Sequence, residues 1–296
     1  MTTVDIETGA SRPHPRQVTG YLVASLLVAV LGLGWAYASS LASLVERWRR
    51  DDNYSHGFFV VPIAVLILWR RRGRLDLEAV APTWWGFLPL VMILAGRAWL
   101  YERNDLWLES ATLPMAAASV ILAIGGRALI GWAWPSVAFL YLMLPLPLQL
   151  NTALAGPLQS LATMGSMTLL RATGLPVVSE GNVIIVGGER LEVARACNGL
   201  SMLLSFATLV AAMVLLVDRP IRERVALLLS IVPVALLCNT LRIVATAWAT
   251  HLAGHPVEAA HDWAGLAMMP LALTLLWFEL RVLSWIFVEV APDSEA

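Results

Sequence analysis

The chain of 296 residues is 58% hydrophobic and only 14% charged, with a mean hydropathy of +0.72. Soluble domains contain roughly 45–50% apolar and about 25% charged residues, so this composition excludes an ordinary soluble protein and predicts an all-α polytopic integral membrane protein. The formal net charge of -1 gives no reason to expect a nucleic-acid partner. The two cysteines, Cys197 and Cys238, are too few for a disulfide framework, although one bridge between them remains open.

Long apolar stretches divide the chain into candidate membrane spans. A spanning helix needs about 20 mostly apolar residues, and about eight stretches approach this length. They cover residues 18–38, 57–70, 84–101, 107–125, 128–148, 199–217, 225–250 and 264–288. The first is long for the apolar part of a signal peptide and follows acidic residues, which favours an uncleaved anchor. We therefore expect one transmembrane domain over residues 18–288.

Arginines in the loops indicate the orientation of the bundle. One cluster, at 70–74, follows the second predicted span, and another, at 219–224, separates the sixth from the seventh. An arrangement of eight spans with both chain ends in the cytoplasm places both clusters on the cytoplasmic side, as the positive-inside rule requires. Residues 1–17 and 289–296 are then cytoplasmic tails, and residues 149–197 form an extracytoplasmic segment.

The extracytoplasmic segment has two parts with different periodicity. Residues 152–173 place apolar side chains at helical spacing among polar ones, which predicts an amphipathic helix lying on the membrane interface. The alternative is that this helix is a ninth span, which would invert the orientation of everything before it. Residues 182–186 and 189–193 flank a pair of glycines and predict a short β-hairpin. This hairpin leads directly into Cys197.

Three residues of the kinds used in nucleophilic catalysis stand in or beside apolar stretches: Cys197, Arg242 and His261. Ionisable side chains in such surroundings are costly, so a functional role is the default interpretation. Cys197 precedes an apolar helix, and the N–H groups at a helix start favour the thiolate form. The backbone N–H groups of the small residues Asn198 and Gly199 are positioned along the chain to form an oxyanion site.

Arg242 is predicted to lie about eight residues from the end of the seventh span, and thus about 12 Å below the membrane surface. We expect a fixed cation that faces the bundle interior, where it supports the thiolate, polarises a carbonyl group or holds a substrate carboxylate. Asn239 shares this helix face, three residues earlier. His261, at the start of the last span, has a side chain that titrates in the range required of a general base.

The secondary candidates are His56, which opens the second span on the same outer side, Asp262, which follows His261, and Glu192, in the charged strand before Cys197. One cysteine and a few scattered histidines lack any recognisable zinc spacing. We therefore expect neither a metal nor an organic cofactor.

Four blocks of sequence resemble the signatures of the exosortase/archaeosortase family. They are Tyr54–Gly57 (YSHG), Leu191–Gly199 (LEVARACNG), Asn239–Arg242 (NTLR) and His261–Gly265 (HDWAG), in the order that the family has them. Many members of the family have serine after the cysteine and a basic residue shortly after the glycine. This chain departs from that pattern with Asn198 and the residues 201–203.

The resemblance implies a single membrane-embedded catalytic domain with the activity of a cysteine transpeptidase or protease. Cys197 would be the nucleophile, His261 the acid and base, and Arg242 the stabilising cation. The implied substrates are membrane-anchored proteins that end in a Pro-Glu-Pro-like sorting motif, a transmembrane helix and a basic tail. The product is released to water or joined to an amine or a polysaccharide-related acceptor, at the periplasmic face of the inner membrane.

A transporter for a small molecule or lipid-related compound is the alternative function. In that interpretation Arg242 binds an anionic substrate and a histidine relays protons. A purely structural partner in an export assembly is the third interpretation, and an arginine inside the membrane argues against it.

Overall fold

A computed structural model describes residues 15–101, 106–192, 199–255 and 258–286 of the chain. Within these ranges the protein contains nine α-helices. They are α1 (Pro15–Ala36), α2 (Ala38–Arg50), α3 (Gly57–Arg70), α4 (Phe87–Tyr101), α5 (Leu106–Phe139), α6 (Leu148–Ala172), α7 (Leu200–Leu216), α8 (Ile221–Ala253) and α9 (Glu258–Ile286). Short 3₁₀ turns lie at Asp52–Tyr54, Arg72–Arg74, Trp84–Gly86 and Leu140–Met143.

Four helical stretches in the described part of the chain are both long and apolar enough to cross a membrane. They are Thr19–Ala36, Trp107–Met143, Ile221–Ala253 and Trp263–Trp285. Three further predicted spans correspond to α3, α4 and α7, which have 14, 15 and 17 residues and fall short of the usual length of about 20. The all-α, multi-pass architecture is confirmed, and the number of eight spans stays a prediction.

Gly126 interrupts α5, which takes in two of the predicted spans. Its dihedral angles, φ 63° and ψ −154°, are not helical and lie in a region that essentially only glycine adopts. A Cβ at this position would lie 2.7 Å from the carbonyl oxygen of Ala81. The helix is therefore broken between the two predicted spans, 107–125 and 128–148, as the sequence analysis expected. The second part of the helix ends at Phe139, earlier than the predicted end at residue 148.

The chain forms two compact units. The first consists of Met1–Ser43 with Ala64–Tyr141, and the second of Leu44–Ile63 with Leu142–Ala296. All four sequence blocks described above fall within the sequence ranges of the second unit. In this unit α8 is the central helix, because it contacts α6, α7 and α9.

A buried ion pair lies in the first unit. The Glu109 carboxylate is 2.9 Å from Nη2 of Arg97 and accepts a hydrogen bond of 2.6 Å from the Ser40 hydroxyl. The Arg97 guanidinium lies 4.4 Å from the ring centre of Tyr37, whose hydroxyl is hydrogen-bonded to Thr112 at 2.8 Å. Pairing and hydrogen bonding offset the cost of burying both charges. The sequence analysis did not predict this cluster.

Helix α6 is longer than the predicted 152–173 segment and packs on α8 through both apolar and polar residues, among them Met167 and Leu170. Ser166 donates a hydrogen bond to the Thr240 carbonyl oxygen at 3.3 Å, while Leu161 and Met164 are 48% and 66% exposed. The helix is not among the four that are apolar enough to span, so its interfacial placement stays a prediction.

Three short strands follow α6, where the sequence analysis predicted two. They are β1 (Val177–Glu180), β2 (Val183–Val186) and β3 (Glu189–Glu192), and they form an antiparallel sheet in that order. The turn between β2 and β3 consists of two glycines with positive φ, as a tight hairpin turn requires. Ile184 and Val186 are buried against residues of α6 and α8, which fixes the sheet beside the central helix.

Candidate active site

The centre of α8 carries two buried polar residues that the sequence analysis selected. Asn239 is 0% exposed and Arg242 is 8% exposed. Because they are three residues apart, they share one face of the helix. The helix continues to Ala253, so Arg242 lies about 16 Å from the end of its helix, compared with about 12 Å predicted from the sequence.

Gly265 of α9 lies directly against the Arg242 guanidinium. A Cβ at Gly265 would be 3.0 Å from Nη2 and 3.2 Å from Cζ of the arginine. These distances are closer than side chains normally approach, so the absence of a side chain at residue 265 gives the guanidinium its space. Gly265 ends the HDWAG block, and the contact therefore joins that block to the NTLR block.

Gly199 makes a comparable approach to the other polar residue of α8. It precedes α7 in the left-handed conformation, with φ 79°, and a Cβ there would lie 3.3 Å from Nδ2 of Asn239. Its carbonyl oxygen accepts the first bond of the helix, from the Leu203 N–H at 3.0 Å. Gly199 ends the block that contains Cys197, so this block also meets α8 at the NTLR residues.

A cavity of about 600 Å³ extends from the Arg242 side of α8. Its lining among the described residues comes from four parts of the second unit. They are Asp52, Ser55, His56, Phe59 and Ile63 at and before α3; Ser201, Met202, Ser205, Phe206, Thr208 and Leu209 of α7; Ala235, Cys238 and Arg242 of α8; and Gly265, Met268, Ala272 and Leu273 of α9.

The cavity is polar at one end and apolar at the other. Ser201 is hydrogen-bonded to the Asp52 backbone, and Arg242 touches Gly265. The polar end is therefore formed by the segment before α3, by the first lining residues of α7 and α9, and by the last lining residue of α8. Further along these elements the lining becomes largely apolar. Two of the apolar lining residues, Phe59 and Leu273, are 59% and 53% exposed.

The YSHG block is anchored to the segment before α6. The Tyr54 hydroxyl accepts hydrogen bonds from the Leu146 N–H at 3.2 Å and from Nδ2 of Asn151 at 2.8 Å. Just before this block, the Trp48 indole N–H donates to the Met143 carbonyl oxygen at 2.9 Å. Tyr54 is 1% exposed. The aromatic side chains therefore satisfy backbone groups of a turn that would otherwise lack partners.

His56 combines an anchoring contact with a place in the cavity wall. Its Nε2 lies 3.0 Å from the Leu142 carbonyl oxygen and the residue is 7% exposed. Burial lowers the pKa of this imidazole, against the opposing effect of the carbonyl groups of Leu142 and Asn53. A neutral ring that donates from Nε2 to a carbonyl is suited to fix the cavity wall, and this contact supports a positioning role for His56.

Several predicted site residues fall outside what the structure describes. Cys197 and Asn198 lie between the described ranges 106–192 and 199–255. Glu192 ends β3, and His261 and Asp262 lie in the first turns of α9, but the structure does not describe their side chains. The separations of Cys197 from His261 and Arg242 therefore stay predictions.

Sequence reasoning missed the polar residues that share the cavity with Arg242. Asp52, Ser55 and Ser201 carry no recognisable motif of their own, and Asp52 resembled an ordinary loop charge. The signal that was available is adjacency, since Ser55 belongs to the YSHG block and Asp52 precedes it. No group of three metal-binding side chains occurs within the ranges that the structure describes.

A comparison with protein families gives one match. The model described as transmembrane exosortase (Exosortase_EpsH) matches residues 48–278, which is well over half of the chain and includes all four sequence blocks. No curated protein and no solved structure matches the chain.

Proposed function

The chain belongs to the transmembrane exosortase family, and we propose that it is a cysteine transpeptidase or protease whose nucleophile is Cys197. Arg242 supplies the fixed positive charge of the site, and His261 acts as the acid and base. The enzyme removes the C-terminal sorting signal of secreted proteins while they are still anchored in the membrane. The reaction takes place at the outer face of the cytoplasmic membrane.

The observation that carries this proposal is the convergence of three sequence blocks on α8. Gly199 lies against Asn239, and Gly265 lies against Arg242. Gly199 is two positions after Cys197, and that length of chain extends at most about 7 Å. Residue 261 lies one helical turn before Gly265 in α9, a rise of about 6 Å. These short chain lengths support a site in which the nucleophile and the base approach the polar face of α8.

The proposed reaction begins with attack of the Cys197 thiolate on the scissile carbonyl carbon. A C–S bond forms, and the negative charge on the carbonyl oxygen is held by the N–H groups of Asn198 and Gly199 together with Arg242. The C–N bond then breaks, and the imidazolium of His261 gives its proton to the leaving amine. The product is a thioester acyl-enzyme, which water or an acceptor amine resolves.

The shape of the cavity supports a substrate that is part polar and part apolar. The sorting motif would occupy the polar end beside Arg242, and the first turns of the substrate's transmembrane helix would contact the apolar end. Met202 and Met268 line this region, and methionine adapts to irregular apolar partners. The exposed apolar side chains of Phe59 and Leu273, which line the cavity, support entry of the helix from the lipid.

A transporter remains the second candidate because Arg242 faces a cavity large enough for a small anion. In a transporter Arg242 would bind the transported anion, and Cys197 would have no chemical role. Transport that continues unchanged in Cys197→Ser, with no cleavage of any sorting signal, favours this candidate over the enzyme.

The test of the proposal is cleavage of a membrane-anchored reporter that ends in a Pro-Glu-Pro-type sorting signal. Cys197→Ala and Cys197→Ser should both leave the reporter uncleaved, because neither side chain supplies a thiolate. Cys238→Ala is the matched control and should retain cleavage, since it removes one buried thiol from the cavity wall and no proposed reactive group. Normal cleavage by either Cys197 variant contradicts the assignment of the nucleophile.

A further inference from the structure

Two consecutive aspartates before α3 have different surroundings. The Asp51 carboxylate accepts hydrogen bonds from the N–H and the Nδ2 of Asn53, at 3.1 and 3.0 Å, and pairs with Arg47 at 3.4 Å. Asp51 is therefore occupied within its own segment. Asp52 lines the cavity, and within the described part of the chain no ion pair involves its carboxylate.

Two hydroxyl groups are fixed around the backbone of Asp52. The Oγ atoms of Ser55 and Ser201 both donate hydrogen bonds to the Asp52 carbonyl oxygen, at 3.2 and 3.0 Å. Both serines also line the cavity. A hydroxyl that donates its hydrogen keeps two lone pairs as acceptors. The carboxylate and the two hydroxyl oxygens therefore offer three groups of acceptors at one corner of the cavity.

This arrangement matches the hydrogen-bonding needs of a primary ammonium group. Such a group carries a positive charge and three N–H donors. Asp52 lies beside α7, whereas Arg242 lies on α8 against Gly265. The two charges thus belong to different walls, so a cation held at Asp52 does not have to occupy the place of an anion held at Arg242.

We propose that Asp52, Ser55 and Ser201 form a binding site for a primary ammonium group, through which an acceptor amine reaches the acyl-enzyme. This inference rests on the proposed function and concerns its second half. It assigns the chain to transpeptidation of amines rather than to hydrolysis alone. Ser201, in the first turn of α7, follows Cys197 by four residues. An amine bound at Ser201 therefore lies on the same side of the cavity as the proposed thioester.

The transfer step moves the acyl group from the sulfur of Cys197 to the nitrogen of the amine. The ammonium group gives one proton to the neutral imidazole of His261, and its nitrogen forms a C–N bond with the thioester carbon. The C–S bond breaks, and the thiolate of Cys197 is restored. The second proton lost from nitrogen passes to solvent, which leaves an amide product and the thiolate–imidazolium pair with which the cycle began.

The test compares a charged and an uncharged nucleophile in the same reaction. The full-length protein, in nanodiscs with the anchored reporter, receives methylamine, which is an ammonium ion at neutral pH, and hydroxylamine, which is uncharged there. Mass spectrometry of the cleaved reporter gives the ratio of methylamide to hydroxamate. Using this ratio removes any general change in activity from the comparison.

Asp52→Asn should lower the methylamide to hydroxamate ratio about fivefold, the effect of losing one partly exposed ion pair. Asp51→Asn, the matched control, should keep the wild-type ratio because that carboxylate is already engaged with Arg47 and Asn53. The double variant Ser55→Ala with Ser201→Ala tests the site again without altering its charge, and it should also lower the ratio.

An unchanged ratio in Asp52→Asn, or an equal decrease in Asp51→Asn, overturns the ammonium site while leaving the proposed nucleophile intact. If the wild-type protein neither cleaves the reporter nor forms either adduct, the proposed function itself fails. The two failures are therefore distinguishable in one experiment.

Discussion

The Arg242 guanidinium packs against the α-carbon of Gly265, so closely that a Cβ at the glycine would lie 3.0 Å from Nη2. One residue is in the middle of α8 and the other is in α9, yet both belong to sequence blocks that carry the family resemblance. Glycine inside a helix costs about 1 kcal/mol relative to alanine, so the close approach offers a physical reason for its presence. We infer that Gly265 sets the position of the cation.

Gly265→Ala should therefore lower reporter cleavage by about threefold to tenfold, because the added Cβ displaces the guanidinium by a few tenths of an ångström and a misplacement of roughly 1 Å costs about 10²-fold. The matched control is Gly156→Ala in α6, where an added Cβ meets nothing within 4 Å. Cleavage is measured as the fraction of processed reporter per unit of folded protein. If Gly265→Ala cleaved the reporter as well as the wild-type protein does, the position of the guanidinium would not limit activity.

Arg242→Gln should reduce cleavage by about 10²- to 10³-fold, the effect of removing one preorganised group that stabilises developing charge. Arg242→Lys keeps the charge but not the planar group, and it should recover only part of the loss. Arg190→Gln, which removes an exposed partner of Glu180, serves as the control. Equal activity in the Gln and Lys variants would argue that charge at this position is irrelevant.

Glu109→Gln should destabilise the first unit, because it leaves the Arg97 guanidinium without its anionic partner. Breaking a buried pair in this way costs about 3–5 kcal/mol, whereas Glu180→Gln breaks an exposed pair worth about 0–1 kcal/mol. Thermal unfolding in detergent, followed for both variants in parallel, measures the difference. A similar midpoint for both would mean that the buried pair adds nothing to stability.

The depressed pKa of His56 predicts a loss of stability in mild acid. Burial keeps this imidazole neutral in the folded protein, while the unfolded chain binds a proton as the pH falls below about 6.5. The folded state is therefore favoured above about pH 6.5, and its stability decreases as the pH falls below that value because only the unfolded chain binds the proton readily. His56→Gln should lose less stability between about pH 7 and about pH 5, and it retains a donor for the Leu142 carbonyl. The exposed His251→Gln variant should follow the wild-type protein; identical curves for all three contradict this role of His56.

The membrane architecture and the choice of Arg242 follow from the sequence because both depend on local properties. Apolar stretches are visible as runs of residues, and an arginine inside such a run is costly wherever the neighbouring helices lie. The boundary at Gly126 was placed correctly for the same reason, since a glycine pair and an arginine interrupt the apolar run.

Contacts between distant parts of the chain were not predictable in this way. The pair of Arg97 and Glu109 and the approach of Ser201 to Asp52 join residues that no periodicity links. Strand β1 escaped notice because its four residues alternate too briefly to differ from a loop. The roles of Gly199 and Gly265 emerge only when the side chain on the facing helix is known.

The most direct test of the account is the identity of the residue that carries the acyl group. Full-length protein incubated briefly with the anchored reporter, quenched in acid and digested, should yield a peptide containing Cys197 with the reporter's new C-terminus attached as a thioester, which hydroxylamine releases. The same treatment should give no such adduct on Cys238. Reporter cleavage without a thioester at Cys197, continuing in Cys197→Ala, would contradict the central claim.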